Sequence, residues 1–546
     1  MAKKGKSQLR ATLSNWLHNG GKDILFLTLY MLLQTGFYAW YFWHIYTSDE
    51  YETSRETYGW SLPMARAAAY CLKLNTIFLF VPVSRSFVSY MRSTFLAKVI
   101  PFDHNIAFHQ IVAWSVVFWT IIHIIGHGFN IYKITSHGYP LLEILQKGVA
   151  ITGVIATLAL IAIVVTAVEK MRRKNFELFY FTHMLYIVFT ASLLVHGSFC
   201  FIKENPDPTC KKGPMYWMYW IVPGALIIME RLYREHAGRQ KTLIHKVIQY
   251  PSNVVEVQMV KQKWTMLPGQ YIFICCPEIS PYQWHPFSLT SSNREGFFSI
   301  HIRIVGDWTS KFAKRLGCDF DGNRIQRKDT TDSEKIRRRK KSVVVTDSES
   351  KTQNINVPNI LIYGPFGTPS EDIFEYESVI LVGGGIGVTP FASILKTIWF
   401  CFNSVGFPMK LKKVYFLWVC RDRQAFEWFQ DLLQLIESDE RIQGMIEINT
   451  YLTEKIKEDE MQNILLNEGM NADGKDVITG LSSRTSYGRP NWDEIFEDVS
   501  AKNPTTDVGV FLCGPKPLAV ALHDACDKWT NESKYETRFF FHKEHF

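Results

Sequence analysis

The sequence predicts a multidomain membrane protein: a six-helix transmembrane bundle, then a small antiparallel β-barrel, then an α/β domain with a parallel sheet. Nearly all long apolar runs of the 546-residue chain lie before residue 236. Short alternating runs that are typical of strands begin near Thr242. After residue 370, strand-like runs alternate with helical patterns, as a parallel sheet requires. We therefore expect three domains, at residues 1–235, 236–370 and 371–546.

Six runs in the first domain are long and apolar enough to cross a bilayer as helices. Lysine and arginine are concentrated before the first run, in the second and fourth connecting segments and after the last run, whereas the first connecting segment is acidic. The positive-inside rule therefore places both termini in the cytosol. The net charge of +8 then reflects membrane topology, and we expect no nucleic acid as a partner. The six predicted spans are residues 24–46, 63–83, 106–129, 149–168, 176–199 and 215–232.

Histidines interrupt two of these spans at matched heights. His109 and His123 are 14 residues apart in the third span, which is about 21 Å along an α-helix. His183 and His196 are 13 residues apart in the fifth span, which is about 20 Å. A single histidine in an apolar helix is usually a packed core residue. Two pairs with nearly equal spacing mark a functional site inside hydrocarbon, and they suit two bis-histidine haems.

The angular positions of these histidines conflict with ideal helices. At about 100° per residue, His109 and His123 lie within about 40° of each other, but His183 and His196 are about 140° apart. Either the fifth span is locally irregular, or its two ends approach the haems from different sides.

A further histidine in the third span, His127, is about 27 Å from His109 along the helix. This distance is too long to match the fifth span, so His127 is available for another role. Arg66 lies near the predicted outer end of the second span. An arginine that extends its charge to the membrane surface is the ordinary explanation. The alternative is that Arg66 and His127 lie together near the outer haem, where they hold O2 and stabilise the anion formed on its reduction.

Two motifs in the barrel region combine strands with polar side chains. Residues His285 to Thr290 read HPFSLT, and residues His301 to Thr309 read HIRIVGDWT. Hydroxyl groups and an alternating arginine can bind a flavin pyrophosphate, while His285 and Phe287 can flank the ring system. The motifs therefore predict flavin binding in the second domain.

Residues 319–357 interrupt the barrel pattern with a polar, charged stretch that is poor in apolar residues. We expect a flexible insert. Its basic run at residues 337–341 precedes Ser342, so it either contacts anionic lipid, carries a phosphorylation site or is a solvated loop. Among the ten cysteines there is no CxxC pair. Cys200 and Cys210 share one predicted loop, where a disulfide is possible if the loop faces an oxidising space.

A glycine-rich turn follows a buried strand in the third domain. The segment VILVGGGIGVTPF predicts a strand, a turn and a helix N-terminus, a setting that favours a pyrophosphate. It departs from the GxGxxG fingerprint. Arg421 and Arg489 are both candidates to pair with a ribose 2′-phosphate and select NADP(H). Cys513 ends the last predicted strand, where it is either a structural residue or adjacent to the nicotinamide.

These motifs and the histidine spacing resemble the superoxide-generating NADPH oxidase family over nearly the whole chain. The segments GPFGTPSEDIF, CRDRQAFEWF, DVITGLSSRTSYGRPNW, FLCGP and a C-terminal KEHF add to the resemblance. The chain is most similar to the phagocyte-oxidase-like catalytic subunits, the short form that starts directly at the first span. It has no DxDxDG-type calcium loop, which distinguishes it from the members with EF-hands.

The resemblance implies a ferric-reductase-like transmembrane domain with two b-type haems, a ferredoxin-reductase-like FAD-binding barrel and an NADPH-binding α/β domain. It implies that His109 and His183 bind the inner haem. It implies that His123 and His196 bind the outer haem.

The remaining site residues follow from the same resemblance. Arg66 and His127 would form the O2 site. The residues implied to bind FAD are His285, Pro286, Phe287, Ser288, Thr290, His301, Arg303 and Thr309, with Phe546 near the flavin ring. The residues implied to bind NADPH are Gly383, Gly384, Gly385, Gly387, Thr389, Pro390, Arg421, Arg489, Cys513, Gly514 and Pro515.

The function implied by the resemblance is a transmembrane NADPH oxidase. Electrons would pass from cytosolic NADPH through FAD and both haems to O2 on the opposite side of the membrane, producing superoxide. The alternatives are a transmembrane ferric or metal reductase and, without enzymatic activity, a haem-bearing membrane scaffold or proton channel. Implied partners are membrane lipid, cytosolic activators including a Rac-type GTPase, and a small membrane partner subunit. The host membrane would be the plasma membrane or an endomembrane.

Overall fold

The computed structural model describes residues 16–199, 216–250, 252–262, 264–318, 320, 341–343, 358–402, 410–454, 475–476 and 478–544. The chain divides into two compact units. One unit is Asp23–Leu232, and the other combines Met1–Lys22 with Tyr233–Phe546. The proposed Cys200–Cys210 disulfide and the terminal Phe546 lie outside the described residues.

The N-terminal half is helical, because its long apolar runs satisfy their backbone hydrogen bonds within each segment. Its helices are α1 (Lys22–Thr47), α2 (Glu52–Tyr58), α3 (Ser61–Phe80), α4 (Arg85–Arg92), α5 (Asn105–Ser136), α6 (Leu141–Leu145), α7 (Gly148–Ala167), α8 (Glu169–Lys174), α9 (Phe176–His183), α10 (Tyr186–His196) and α11 (Tyr216–Arg239).

Six helical stretches in the described part of the chain are long and apolar enough to cross a membrane. Five match the first five predicted spans. The sixth, Gly385–Phe402, is not a predicted span: it lies in the nucleotide domain and 61% of it is buried, because a helix beneath a sheet is as apolar as a membrane helix. The predicted sixth span falls almost entirely on α11, which also carries Glu230 and Arg231. The five matching stretches are Asn19–Thr47, Ser61–Val83, Phe102–Ser136, Gly148–Ala167 and Phe176–His196.

The fifth predicted span is broken in its middle. Helix α9 ends at His183, and α10 begins at Tyr186. At the break, the Met184 N–H lies 3.2 Å from the Phe181 carbonyl oxygen, a tighter 3₁₀-type contact. Each residue of such a turn advances the helix by about 120° instead of 100°. Of the two alternatives that the sequence left open for this span, the structure shows a local irregularity.

A buried polar cluster joins α1, α3 and α5. The Asn75 amide nitrogen donates to the Gln34 side-chain oxygen at 2.9 Å, and the Trp119 indole N–H donates to the same oxygen at 3.1 Å. The Tyr30 hydroxyl donates to the Asn75 side-chain oxygen at 2.5 Å. These bonds satisfy polar groups in an otherwise apolar bundle and hold the three helices in register.

The barrel domain consists of two antiparallel sheets, with strand orders β5-β2-β1-β6 and β4-β3-β7. Within the predicted insert 319–357, the structure describes residue 320 and the short strand β6, which pairs with β1 and so forms a strand instead of a loop. The rest of the insert lies outside the described residues. The strands are β1 (Thr242–Tyr250), β2 (Val254–Lys261), β3 (Tyr271–Cys275), β4 (His285–Ser288), β5 (Phe298–Arg303), β6 (Lys341–Val343) and β7 (Leu361–Phe366), and α12 (Asp307–Arg315) follows β5.

The C-terminal domain contains a six-stranded sheet of order β11-β10-β9-β8-β12-β13, and every pair in it is parallel. Parallel strands bring their carboxyl ends to one edge, where ligands bind in folds of this type. The strands are β8 (Ser378–Gly384), β9 (Lys413–Cys420), β10 (Ile446–Leu452), β11 (Ser486–Tyr487), β12 (Asp507–Cys513) and β13 (Arg538–Lys543). The helices are α13 (Thr389–Phe402), α14 (Gln430–Ser438), α15 (Trp492–Lys502) and α16 (Lys516–Glu532).

Candidate functional site

The four predicted haem-ligand histidines form two pairs in the membrane unit. The ring centroids of His109 and His183 are 6.3 Å apart, and those of His123 and His196 are 6.2 Å apart. Two imidazoles that bind one metal ion from opposite sides, through metal–nitrogen bonds of about 2 Å each, have centroids about 6 Å apart. Each pair therefore has the separation that an axial pair on one haem iron requires.

The second nitrogen of three of these rings already has a partner. His109 Nδ1 lies 2.8 Å from the Leu79 carbonyl oxygen, and His123 Nδ1 lies 3.0 Å from the Ala65 carbonyl oxygen. His196 Nδ1 lies 3.2 Å from the Thr152 hydroxyl. Such bonds orient a metal-binding ring and leave Nε2 for the metal. His183 Nδ1 is buried without a hydrogen-bond partner among the described residues. These residues fit haem.

The candidate O2 residues lie beside the second pair. The rings of His127 and His123 are 4.6 Å apart, centroid to centroid. Arg66 follows Ala65, the residue whose carbonyl binds His123, and it interacts electrostatically with His127. The Arg66 guanidinium also lies over the Tyr51 ring at 5.2 Å. A cation and an imidazole thus lie beside the second histidine pair, an arrangement that stabilises a small anion.

Two residues of this region, Asn130 and Ser61, were not predicted as site residues from the sequence. The amide nitrogen of Asn130 lies 3.4 Å from His127 Nδ1, and the Ser61 hydroxyl donates to the Asn130 oxygen at 2.7 Å. Asn130 and Ser61 are both fully buried. The signal in the sequence was the spacing, since residues 127 and 130 share one helix face.

The HPFS motif forms strand β4, and its histidine stacks on Trp308, with ring centroids 4.1 Å apart. Burial lowers the pKa of His285 to about 4. Its Nε2 is buried and has no hydrogen-bond partner among the described residues. Phe287 also lies beside Trp308, at 6.2 Å between centroids, whereas Pro286 is exposed and Ser288 is buried. The orphaned nitrogen of His285 next to flat aromatic rings fits the flavin that these residues are predicted to bind.

Thr290 and His301 belong to a buried network. The Thr290 hydroxyl lies 2.8 Å from His301 Nδ1, and His301 Nε2 lies 3.7 Å from a Glu256 carboxylate oxygen. That carboxylate also accepts from the Tyr250 hydroxyl at 3.0 Å. The His301 ring packs 5.0 Å from the Phe429 ring of the nucleotide domain. These two predicted flavin residues therefore join the barrel to the nucleotide sheet.

The other two predicted flavin residues occupy different positions. Arg303 is exposed at the end of β5. The Thr309 hydroxyl accepts from the Gly306 N–H at 3.1 Å and so caps the start of α12.

The glycine-rich turn lies against residues 513–515, the CGP segment, because β8 and β12 are neighbours with Gly383 opposite Cys513. A Cβ on Gly387 would collide with the Cys513 carbonyl oxygen, and a Cβ on Gly384 would lie 2.9 Å from the Pro515 ring. The positive φ of Gly385, +57°, also favours glycine. The turn leads into α13, which begins with Thr389 and Pro390. Gly514 lies against the turn at Gly384. Because these glycines have no side chains, their backbone leaves an open space before the N-terminus of α13. This space, the glycine cradle, fits a pyrophosphate.

Both candidate 2′-phosphate residues lie at the carboxyl edge of the sheet. Leu452 is opposite Cys420 on one side and Tyr487 on the other. Arg421 follows Cys420 directly, and Arg489 is two residues after Tyr487. Both arginines are exposed. Adjacent strands are about 4.8 Å apart, so the topology brings the two cations to the same side of the predicted nucleotide site.

Asp476 orders the loop before Arg489 and was missed from the sequence. Its carboxylate is buried and accepts from the backbone N–H of Thr479 at 2.8 Å and from the Thr485 hydroxyl at 2.8 Å. The sequence signal was an aspartate placed before closely spaced threonines, which typically accept or donate local turn hydrogen bonds.

Glu544 was also missed as a site residue. Its carboxylate is buried and accepts from the Ser370 backbone N–H at 3.0 Å and from the Ser370 hydroxyl. Burial and the Glu544 carboxylate raise the pKa of Cys513 well above its ordinary value, so Cys513 is a neutral thiol. The Ser370–Glu544 pair thus lies close enough to influence the Cys513 thiol, where β12 and β13 end.

Comparisons with known proteins identify the domain families of the chain. Residues 66–194 match the family of ferric reductase like transmembrane components, residues 239–370 match an FAD-binding domain family, and residues 376–527 match the ferric reductase NAD binding domain family. The chain is 35% identical to NADPH oxidase 1 of Mus musculus, over 98% of this chain and 96% of that protein.

Two further relatives cover similar lengths. Identity is 36% to a superoxide-generating NADPH oxidase heavy chain of Dictyostelium discoideum, over 97% of this chain and 98% of that protein. Identity is 32% to NADPH oxidase 3 of Homo sapiens, over 97% of this chain and 99% of that protein. Since similarity at this level extends over nearly the full length of each protein, the chain belongs to the NADPH oxidase family, as an integral membrane oxidoreductase with FAD- and NADP-binding domains.

Proposed function

We propose that this enzyme carries electrons from NADPH through FAD and two b-type haems to O2, and that superoxide is the product. The two histidine pairs carry the proposal, because each has the ring separation that haem ligation needs and three of the four rings are held through Nδ1. His109 and His183 would hold one haem, and His123 and His196 the other. When bound, the flavin and the haems convert a two-electron donor into successive one-electron transfers.

The protein's own groups bind and orient the substrates. The glycine cradle before α13 accepts the NADPH pyrophosphate at a helix N-terminus, and Arg421 and Arg489 supply cations for the 2′-phosphate. The HPFSLT and HIRIVGDWT segments form the FAD site, with His285 and Phe287 beside the flavin ring. Since two histidines would hold each haem, other side chains would have to hold O2. Arg66 supplies a positive charge and His127 a ring N–H, which together stabilise superoxide as it forms.

The distribution of basic residues supports opposite membrane faces for the two half-reactions. Basic connecting segments favour a cytosolic location for both termini, so NADPH is oxidised there and superoxide leaves on the far side of the plasma membrane or an endomembrane. Cytosolic activators including a Rac-type GTPase, together with a small membrane partner subunit, regulate this transfer in our proposal.

The purified protein with NADPH tests the proposal through superoxide-dismutase-sensitive dye reduction. We expect His127→Leu and Arg66→Ala to lose about 100-fold or more in superoxide output while both haems remain visible in the reduced-minus-oxidised spectrum. His123→Leu should also lose haem absorbance. His137→Leu, an exposed histidine at the end of the same helix, is the matched control.

A ferric or metal reductase is the second candidate, since two of the matching families are described as ferric reductases. Iron-chelate reduction that persists without O2 and greatly exceeds superoxide output would favour it. A protein that retains FAD but oxidises no NADPH would instead support a haem-bearing scaffold or proton channel.

A further inference from the structure

The short segment before α1 binds the outer edge of the nucleotide sheet. The Asn19 amide nitrogen donates to the Phe539 carbonyl oxygen at 3.1 Å, and the Asn19 side-chain oxygen accepts from the Phe541 N–H at 3.2 Å. An edge strand offers this pair of groups, the oxygen of one residue and the N–H two residues later, to a neighbouring strand. One asparagine side chain therefore takes the place of a further strand beside β13.

Asn19 also makes two contacts with α16. The Asn19 amide nitrogen also lies 3.2 Å from an Asp527 carboxylate oxygen, and the Asn19 carbonyl oxygen lies 3.0 Å from His523 Nε2. Both N–H groups and the oxygen of the side chain thus have partners. Because every polar group of the Asn19 side chain has a partner, the contact is specific and not a chance surface contact.

The backbone of the segment is shaped for this position. Within the turn Leu17–Gly21, Asn19 is not helical, and Gly20 has a φ of +119°. A side chain at Gly20 would meet nothing within 4 Å. Glycine is therefore required there by backbone conformation and not by space.

The strand that Asn19 binds, β13, ends next to the CGP segment, which follows the neighbouring strand β12. β13 pairs with β12 on its inner side, and Glu544 follows its last residue. The Glu544 N–H donates to the Leu512 carbonyl oxygen at 2.8 Å, and its carboxylate binds Ser370. An edge strand without a cover is an open template for pairing with another chain.

We propose that the outer edge of β13 is a docking surface and that Leu17–Gly21 is its resident occupant. Through Asn19, the segment holds the strand that places Glu544 beside Cys513. Release of the segment loosens Glu544 and leaves the strand edge uncovered. This surface lies within the unit that contains the nucleotide domain and is independent of the proposed O2 site.

Hydrogen–deuterium exchange of the full-length protein in detergent tests this inference. In Asn19→Ala, we expect the amide of Phe541 to exchange about tenfold faster, because it loses its acceptor. Gly20→Ala should give the same result through backbone strain, without removing any contact. The matched control is Asn531→Ala, an exposed asparagine of α16 that bonds to its own helix at Asp527.

Unchanged exchange at Phe541 in both Asn19→Ala and Gly20→Ala would overturn the docking proposal. We also expect NADPH to reduce the flavin at least about twofold more slowly in these two variants, measured anaerobically, because Glu544 is less well placed. A normal rate in a variant whose exchange has risen would overturn the link to Glu544. Neither readout uses O2, so both results are separate from the test of superoxide formation.

Discussion

The carbonyl oxygen of Ala65 lies 3.0 Å from Nδ1 of His123, and the residue after Ala65 is Arg66. Helices α3 and α5 come this close because the residues in contact, Ala65 and Gly126, are both small. A Cβ on Gly126 would lie 2.8 Å from the Ala65 Cβ. One helix contact therefore orients a predicted haem ligand and brings the arginine to the same level. Small residues permit such approaches within membranes.

Gly126→Val should separate α3 from α5 and break the His123–Ala65 hydrogen bond. We expect about half of the haem absorbance to be lost, because the ligand loses its orienting partner, while the His109–His183 haem remains. Gly128→Val is the matched control, since a Cβ there meets nothing within 4 Å. The measurement is haem per polypeptide by pyridine haemochrome. A full complement of both haems in Gly126→Val would contradict the prediction.

Asn130→Leu removes the amide beside His127. We expect kcat/KM for O2 to fall roughly tenfold, as for other residues that orient a functional histidine, with unchanged haem content and unchanged anaerobic flavin reduction by NADPH. Thr135→Val serves as control, because the Thr135 hydroxyl donates to the Tyr132 carbonyl oxygen within its own turn of the same helix. If KM for O2 and kcat both stay at the wild-type value, Asn130 has no orienting role.

Gly387→Ala places a methyl group against the Cys513 carbonyl oxygen. The turn must then move away from the CGP segment, and we expect KM for NADPH to rise about tenfold or more. Steady-state NADPH oxidation and nucleotide binding to the purified protein measure the effect. Gly238→Ala is the control, because its nearest contact would be an ordinary 3.7 Å. Equal KM values in the two variants would exclude this turn from the nucleotide site.

The His301 network makes the barrel sensitive to acid. Burial lowers the pKa of His301 to about 4, against the opposing effect of Glu256. The unfolded chain binds this proton near pH 6.5 and the folded chain only near pH 4, so acidification through that window favours unfolding. The loss reaches up to about 3 kcal/mol.

Glu256 acts in the same direction at lower pH. Burial alone would raise the pKa of Glu256, but His301, the Gln258 amide, Lys396 and the Tyr250 hydroxyl together lower it. Its contribution is present above the unfolded pKa and is lost as the pH falls below it.

We expect thermal release of FAD to shift to lower temperature between pH 7 and pH 5. The shift should shrink in His301→Gln but not in His245→Gln, an exposed histidine of β1; equal shifts in all three proteins would refute the assignment.

Much of the architecture was predictable from patterns with a direct physical cause. Hydrocarbon thickness requires long apolar runs, and five of the predicted spans match helices of suitable length and composition. The helix Gly385–Phe402 has the same composition but is a core helix, because burial beneath a sheet and burial in lipid select the same residues. The sixth span, on α11, has charged residues at its end and a weaker apolar signal.

The candidate sites divide in a similar way. Periodic histidines and glycine-rich turns act through local geometry, so they were visible in the sequence. Asn130, Asp476 and Glu544 act through partners distant in sequence or through a specific loop conformation, so single motifs did not reveal them. Thr290 and His301 have the predicted residue types, but the fold directs them into a network between barrel and nucleotide sheet.

The primary structure alone specified two imidazole levels about 20 Å apart, because the rise of an α-helix converts residue spacing directly into height. It did not specify which face of the fifth span each histidine occupies. That required the folded chain, in which a break between His183 and Tyr186 turns His196 to within 6.2 Å of His123. Height is a property of one helix, whereas pairing depends on how helices pack and where their hydrogen bonding is interrupted.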